Sequence, residues 1–591
     1  MQLHTIDWII ALVSVAICFI PALFFGKRSG KSTAEFFASG RSVPWWLAGL
    51  SMVATTFSSD TPNLVANFVR TQGVAGNWQW WAFTLTGVAT VFFYARLWRR
   101  SGVLTDLEFY ELRYSGKSAA AVRGFRAVYL GLLFNCMIMA TVNLAACKIA
   151  AVLFGFSRWQ TLLAVGLLNV VFAAHSGLWG VLVIDMVQFF IKMTAVIAAA
   201  YFAVMLPQVG GMHGLVDKLS HVRGPGGLNY LNMLPSFSNN WDLAVAVFII
   251  PLTVQWWAVW YPGAEPGGGS YIAQRMLASK SEKDALGGTL FFNVAHYVLR
   301  PWPWILVGLA SLVVYPQLSD LQKALPNLDP KLLGHDIAFP AMLRFLPVGW
   351  IGLMLGGLVA ANSSTILTHL NWGASYLVHD FYRRFLNRGA AEHHYVVAGR
   401  VATVILFVLS SALVFGLDTA QQAFNLILRV GAGTGLLYLV RWFWWRVNAW
   451  CEIVAMVGSF LVAVGLQFLA PNLDPSEGLL LTVAVTTVCW IATAYLGPQT
   501  DQATLIDFYR KVHPAGPGWA PIRAQAGEVK VEADNFPLSL LGWAAGCIAI
   551  WSALFFVGNL LYGRTDYAVI LLVTFVVSGA VLIRVIGRLW R

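Results

Sequence analysis

Apolar runs of about 17 to 25 residues, each long enough to span the hydrocarbon of a bilayer, recur along almost the whole chain, roughly 15 in all. A backbone in lipid must satisfy its own amide and carbonyl groups, so such a chain folds as a bundle of membrane helices. Composition agrees: of 591 residues, 58% are hydrophobic and 11% charged, and the mean hydropathy is +0.67, which nearly excludes a water-soluble globule. A net charge of +12 would suit nucleic acid if the basic residues formed one patch, but they flank the apolar runs instead. About 27 of the 39 Lys and Arg fall on one alternating set of loops, about 8 on the other and about 4 within spans. This bias puts the N-terminus outside and the C-terminus in the cytoplasm. The first run, Ile6 to Phe25, lacks a basic leader and is followed by GKRSGKS, so it reads as a retained helix and not a signal peptide. Cys18, Cys136, Cys147, Cys451, Cys489 and Cys547 stand at no metal-ligand spacing and imply neither a disulfide framework nor a zinc site.

Three runs carry polar groups that lipid would not tolerate. The ninth, Gly356 to Tyr382, reads GGLVAANSSTILTHLNWGASYLVHDFY. On a helix Ala361, Ser364 and Thr365 stand at i, i+3 and i+4, so one carbonyl and two hydroxyls converge on a patch suited to a small hard cation such as Na⁺. The same hydroxyls would also serve as bonds to the i−4 carbonyl or as helix-packing contacts. The second run, Val43 to Arg70, holds Thr55, Thr56, Ser58, Ser59, Asp60 and Thr61 directly before Pro62. Proline removes a donor and disfavours helix before it, so the backbone opens at mid-membrane depth, where free carbonyls can bind cations. The alternative is a kink satisfied by its own Ser and Thr side chains. The seventh run, Asp242 to Tyr261, enters PGAEPGGGSYIAQ, where Pro262, Pro266 and three glycines prevent regular helix. That GGG lacks the strand and the Lys-Ser/Thr ending of a phosphate loop.

Other positions leave alternatives open. At least two of Trp78, Trp80 and Trp81 read as an interfacial aromatic belt, with Gln79 the exception among them. Thr105 and Glu108 have the spacing of a helix N-cap box in a short cytoplasmic helix. Asp185, three residues before Gln188, is an intramembrane carboxylate with either an ion-path or a structural role, while Lys148 and Lys192 have the option of snorkelling. Arg300 has no evident partner. Arg429 needs an anion, either Asp60 or a carboxylate on a substrate, unless it caps a helix end. The polar loop from Gln499 to Asn535 has no room for an enzyme domain. No span holds a paired nucleophile and base, a metal-ligand cluster or facing carboxylates, so the chain is not expected to be an enzyme.

Taken in order, GRSVPWW, TDLEFYELRY, GLWGVLVIDMVQ, YIAQRMLASKSEKDA and AANSSTILTHLN followed by HDFY resemble the sodium:solute symporter family, the sodium-coupled sugar, proline, pantothenate and sialic acid carriers. The likeness covers Asp7 to Ala449. It implies an all-α polytopic membrane protein with LeuT-like inverted five-helix repeats, 43–206 and 240–446. One extra helix would precede them within 1–42, and about four would follow in 447–591, with a cytoplasmic loop at 499–535. It implies Na⁺ as coupling ion, held by the carbonyls of Ala54, Phe57 and Ala361 and the hydroxyls of Ser364 and Thr365, with Asp185 on the ion's route. A fuller second ion site would need a hydroxyl where Ala361 stands. QWWAVWYPG departs from the sugar-carrier pattern, and the expected substrate residues are Thr56, Gln79, Gln255, Trp256, Trp260 and Arg429. The expected activity is import of a small polar organic solute, a sugar, amino acid or carboxylate, across the plasma (inner) membrane by alternating access. Solute and lipid bilayer are the expected partners, with no nucleic acid and no obligate protein partner. A membrane-embedded sensor or scaffold with this fold, and a proton-coupled carrier using Asp185 or His369, are the alternatives.

Overall fold

Two helices stop inside the bundle and restart, and the other helices pack around these breaks. The computed structural model describes residues 3–25, 31–258, 265–417, 428, 431, 433–527 and 535–590. Among them there is no strand, only isolated bridges between Val43 and Ser279 and between Gly224 and Leu228, and nine helices are long and apolar enough to cross a membrane. The first broken helix runs Trp45–Thr55, opens over 56–59, and resumes as Asp60–Gln72. Pro62 falls in the first turn of the second half, where a missing amide leaves no helical bond unmade. The second broken helix comprises Trp241–Thr253 and Ser270–Ala278. Trp260 and Arg429 lie outside the described residues.

The fifth and sixth apolar runs, Trp159 to Ala174 and Leu178 to Leu206, form one continuous helical stretch, Arg158–Val204, turned at Gly177, whose φ of 57° and ψ of −163° favour glycine. The half after the turn, Gly177–Val204, lies against Trp350–Leu386 and carries Asp185 and Lys192 into the centre. The first broken helix presses on Glu282–Val314 through glycines: a Cβ on Gly49 would stand 2.5 Å from the Gly288 carbonyl oxygen. Such close approach of small residues is how helices associate in lipid, where apolar burial offers little net drive. The N-terminal helix Thr5–Phe19 is pinned by Asp7, whose carboxylate accepts the Gly349 amide at 2.6 Å. The last helix, Thr565–Leu589, is mostly exposed, as a lipid-facing helix is.

Several local expectations change. Trp78, Trp80 and Trp81 are buried in the bundle and face protein, not lipid, and Trp78 donates its indole N–H to the Met233 carbonyl at 2.9 Å. The Thr105–Glu108 box does not form, because Thr105 gives its hydroxyl to Asp380 at 2.9 Å. Glu108 instead accepts the Leu104 amide at 2.7 Å, just before the helix Glu108–Arg113. Neither lysine snorkels: Lys148 pairs with Asp336 at 2.7 Å, and Lys192 turns to the first break. The 499–535 loop holds the helices Gln502–Val512 and Ala520–Ala526. It is tied to the bundle by Trp519, which donates to the Trp442 carbonyl at 2.8 Å and lies under the Arg113 guanidinium at 4.7 Å.

At this same end, Arg123 bridges Glu111 at 2.6 Å and the buried Asp380 at 2.7 Å. Burial alone would raise the Glu108 carboxyl. The hydrogen bond and charge of His379, the Leu104 amide and Arg123 outweigh it, bringing Glu108 from about 4.5 down to about 2. A depressed carboxyl stabilises the fold above its unfolded value, and that stabilisation is lost as pH falls toward the folded value. The unfolding midpoint of the wild type is therefore expected to drop between about pH 4.5 and about pH 2 more steeply than that of Glu108→Gln. Parallel curves for the two proteins would refute this role for Glu108.

Candidate ion and solute site

The C-terminal end of a helix leaves carbonyls without amide partners and carries the negative pole of the helix dipole. At the end of Trp45–Thr55 the Phe57 amide stands 3.1 Å from both Val53 O and Ala54 O, and the last carbonyls also meet cations and hydroxyls. Val53 O accepts from Arg300 at 3.2 Å and Thr55 O from the Thr365 hydroxyl at 2.7 Å. The Lys192 ammonium donates to Ala54 O at 2.8 Å and to Phe57 O at 3.1 Å. A further cation bound to those two oxygens would stand within about 4 Å of the ammonium, where repulsion at an effective dielectric of about 20 is about 4 kcal/mol.

The hydroxyl side belongs to Trp350–Leu386. Ser364 donates to Asp185 at 2.6 Å, and Thr365 is also within 3.3 Å of the Ala361 carbonyl. Asp185 accepts Ser51 at 2.5 Å as well, and Arg275 stands 3.8 Å away. Arg275 also donates to Ser51 at 3.2 Å and to Thr368 at 2.9 Å. The Thr365 hydroxyl thus ties Trp350–Leu386 to the broken end at Thr55, Ser364 ties it to Asp185, and Ala54, Phe57, Ala361, Ser364 and Thr365 are all buried. A hydroxyl that donates one hydrogen bond still offers lone pairs, so Ser364 and Thr365 remain able to face a cation. His369, one turn beyond Thr365, is engaged with Asn135 at 2.5 Å.

Next to this broken end lies a cavity lined by Thr56, Glu265, Asn293 and His296, with aromatic walls from Phe83 and Phe292. Thr56 shares a hydrogen bond with His296 at 3.1 Å and accepts one from Arg300 at 3.2 Å. Glu265 is held by Arg126 at 2.6 Å, and its second oxygen has no hydrogen-bond partner among the described residues. Gln79 and Gln255 line a different cavity, with Gln72, Asp474 and Ser476, and Gln255 donates to the Gln79 carbonyl at 2.7 Å. Trp256 packs on Trp257 and Trp543, at ring separations of 5.5 and 6.4 Å, and is not among the lining residues of either cavity. Of the expected substrate residues that the structure describes, Thr56 alone reaches the cavity beside the break. Asn293, His296 and Arg275 carry no distinct signal in the sequence, whereas a lone carboxylate among GAEPGGG marks Glu265.

A membrane bundle with two interrupted helices, their broken ends turned to a buried polar core, is the architecture of a secondary transporter. A family model described as the sodium:solute symporter family matches residues 36–459. The chain belongs to that family. The sodium/glucose cotransporter of Vibrio parahaemolyticus is 26% identical over 504 residues, 82% of this chain and 89% of that protein. Sodium/glucose cotransporter 1 of Oryctolagus cuniculus is 23% identical over 475 residues, 75% of this chain and 68% of that protein. Among solved structures, the substrate-bound outward-open state of a Na⁺-coupled sialic acid symporter superimposes with a TM-score of 0.66 at 18% identity, covering 85% of this chain and 100% of that one. That likeness is one of fold, the LeuT-like bundle. The protein is a multi-pass sodium-coupled symporter, not an enzyme.

Proposed function

We propose that this protein imports a small, uncharged, hydroxyl-rich solute with Na⁺, the ion held by the carbonyls of Ala54, Phe57 and Ala361 and the hydroxyls of Ser364 and Thr365. The observation that carries this reading is the meeting of the open helix end with those hydroxyls beside a polar cavity. Glu265, Asn293 and His296 offer acceptors and donors for solute hydroxyls, and Phe83 and Phe292 offer apolar faces, a combination suited to a sugar ring. The free oxygen of Glu265 disfavours a carboxylate solute there. The names of the glucose-transporting relatives point the same way. Gln79 and Gln255 would line the outer approach, consistent with an N-terminus outside and a C-terminus in the cytoplasm of the plasma membrane. The repeats would be 43–206 and 240–446, flanked by 1–42 and 447–591.

Coupling requires Na⁺ and solute to favour the same conformer, a reciprocal linkage. In proteoliposomes, Ser364→Ala and Thr365→Ala are expected to weaken apparent sodium affinity and solute affinity together, each by about tenfold. If solute affinity stays fixed at every sodium concentration while sodium affinity falls, the coupling model fails. Uptake driven by a pH gradient in sodium-free buffer would replace it with a proton-coupled carrier.

A further inference from the structure

We propose, resting on the sodium assignment of those two carbonyls, that Lys192 is a tethered cation lodged in the sodium site and that sodium binds only by displacing its ammonium. The Lys192 side chain is buried, 1% exposed. Its Nζ reaches Ala54 O at 2.8 Å and Phe57 O at 3.1 Å and lies 5.1 Å from the centre of the Phe57 ring. Among the described residues no carboxylate stands within ion-pair distance of it. Asp185, seven residues earlier on the same helix, acts on it as a counter-charge without direct contact and is itself engaged with Ser51, Ser364 and Arg275. The charge of Lys192 is therefore met by carbonyl dipoles at a helix end and by an aromatic face. These are the contacts of an ion site and not of an ion pair.

Two cations do not share one pair of carbonyls, because at that separation they repel. Lys192 and sodium are thus alternative occupants. The exchange keeps the open helix end satisfied when the ion departs into the cytoplasm, and it raises the sodium concentration needed to load the site. The long flexible stem of lysine lets the head group leave the carbonyls without moving the helix that carries it.

The test is a sodium titration of the purified full-length protein against choline at constant ionic strength, following the thermal unfolding midpoint of wild type, Lys192→Met and Lys192→Gln. Half-maximal stabilisation in both variants is expected at a sodium concentration at least about tenfold lower than in wild type. Glutamine keeps an amide donor for the carbonyls, so it reports even where methionine leaves them bare and the fold fails. A half-maximal concentration equal to or above that of wild type overturns the displacement and leaves sodium coupling intact. A sodium response in the variants and none in wild type overturns the displacement, leaving the lysine a permanent occupant, and removes sodium symport from the wild-type protein. No response in any of the three overturns both.

Discussion

Arg275→Ala is expected to lower the free energy of unfolding by about 3–5 kcal/mol, the range for stripping one partner from a buried charge pair. Arg275 and Asp185 are both fully buried. They lie 3.8 Å apart and are joined through Ser51, which accepts from Arg275 at 3.2 Å and donates to Asp185 at 2.5 Å. Removing the guanidinium leaves the carboxylate with hydroxyl donors and without its Arg275 counter-charge, and it takes one donor from the Thr368 hydroxyl, which keeps Thr55 at 3.0 Å. The double variant Arg275→Met, Asp185→Asn is expected to recover most of the loss, since removing both charges avoids an unpaired buried ion. Denaturant unfolding in detergent reads both effects. A loss under about 1 kcal/mol for Arg275→Ala, or no recovery in the double variant, would show that the two groups are not energetically paired.

The second large effect is expected in conformation. Arg126, on the helix Gly116–Phe154, holds Glu265 at 2.6 Å, and both side chains are 1% exposed. Glu265 lies in the gap of the second broken helix, so this pair clamps that helix to the rest of the bundle, assisted by the Tyr438 hydroxyl at 2.5 Å. A second tie lies nearby: Asp106 accepts the Ser270 amide at 2.8 Å and a short hydrogen bond from Tyr376. Arg126→Ala breaks the stronger of the two, and alternating access depends on separating these elements. A cysteine at Thr90, which lines the cavity, reports the opening, in a Cys489→Ser background because Cys489 is the exposed native thiol. Its labelling rate is expected to rise by roughly tenfold or more in Arg126→Ala, the shift for a preference of about 1.4 kcal/mol or more between conformers. An unchanged rate would mean that the pair is architectural and takes no part in gating.

Much of this molecule is legible residue by residue. The break at 56–59 follows from Pro62 and its run of hydroxyls, and the face of Ala361, Ser364 and Thr365 follows from helical spacing, because both are set by covalent geometry within a few residues. The charged positions also stand out, since ionisable groups are rare in apolar runs. Their partners do not. Lys192 lies 138 residues from Ala54 in sequence and Arg126 lies 139 from Glu265, and nothing local specifies either contact. The same gap left Trp78, Trp80 and Trp81 facing protein and not lipid, and placed Gln79 and Gln255 in a cavity apart from Thr56.

By itself the sequence determined that this chain is a membrane bundle, where its helices run and break, and which oxygens crowd the opening. Only the tertiary structure decided what faces those oxygens: an ammonium from Gly177–Val204 on two of them, the Thr365 hydroxyl from Trp350–Leu386 on another, and Arg300 on a fourth. The physical reason is that hydropathy and periodicity report each helix against lipid or water. Membrane helices apolar on every side carry little periodic signal of which neighbour they meet, so packing and buried polar pairing make that choice.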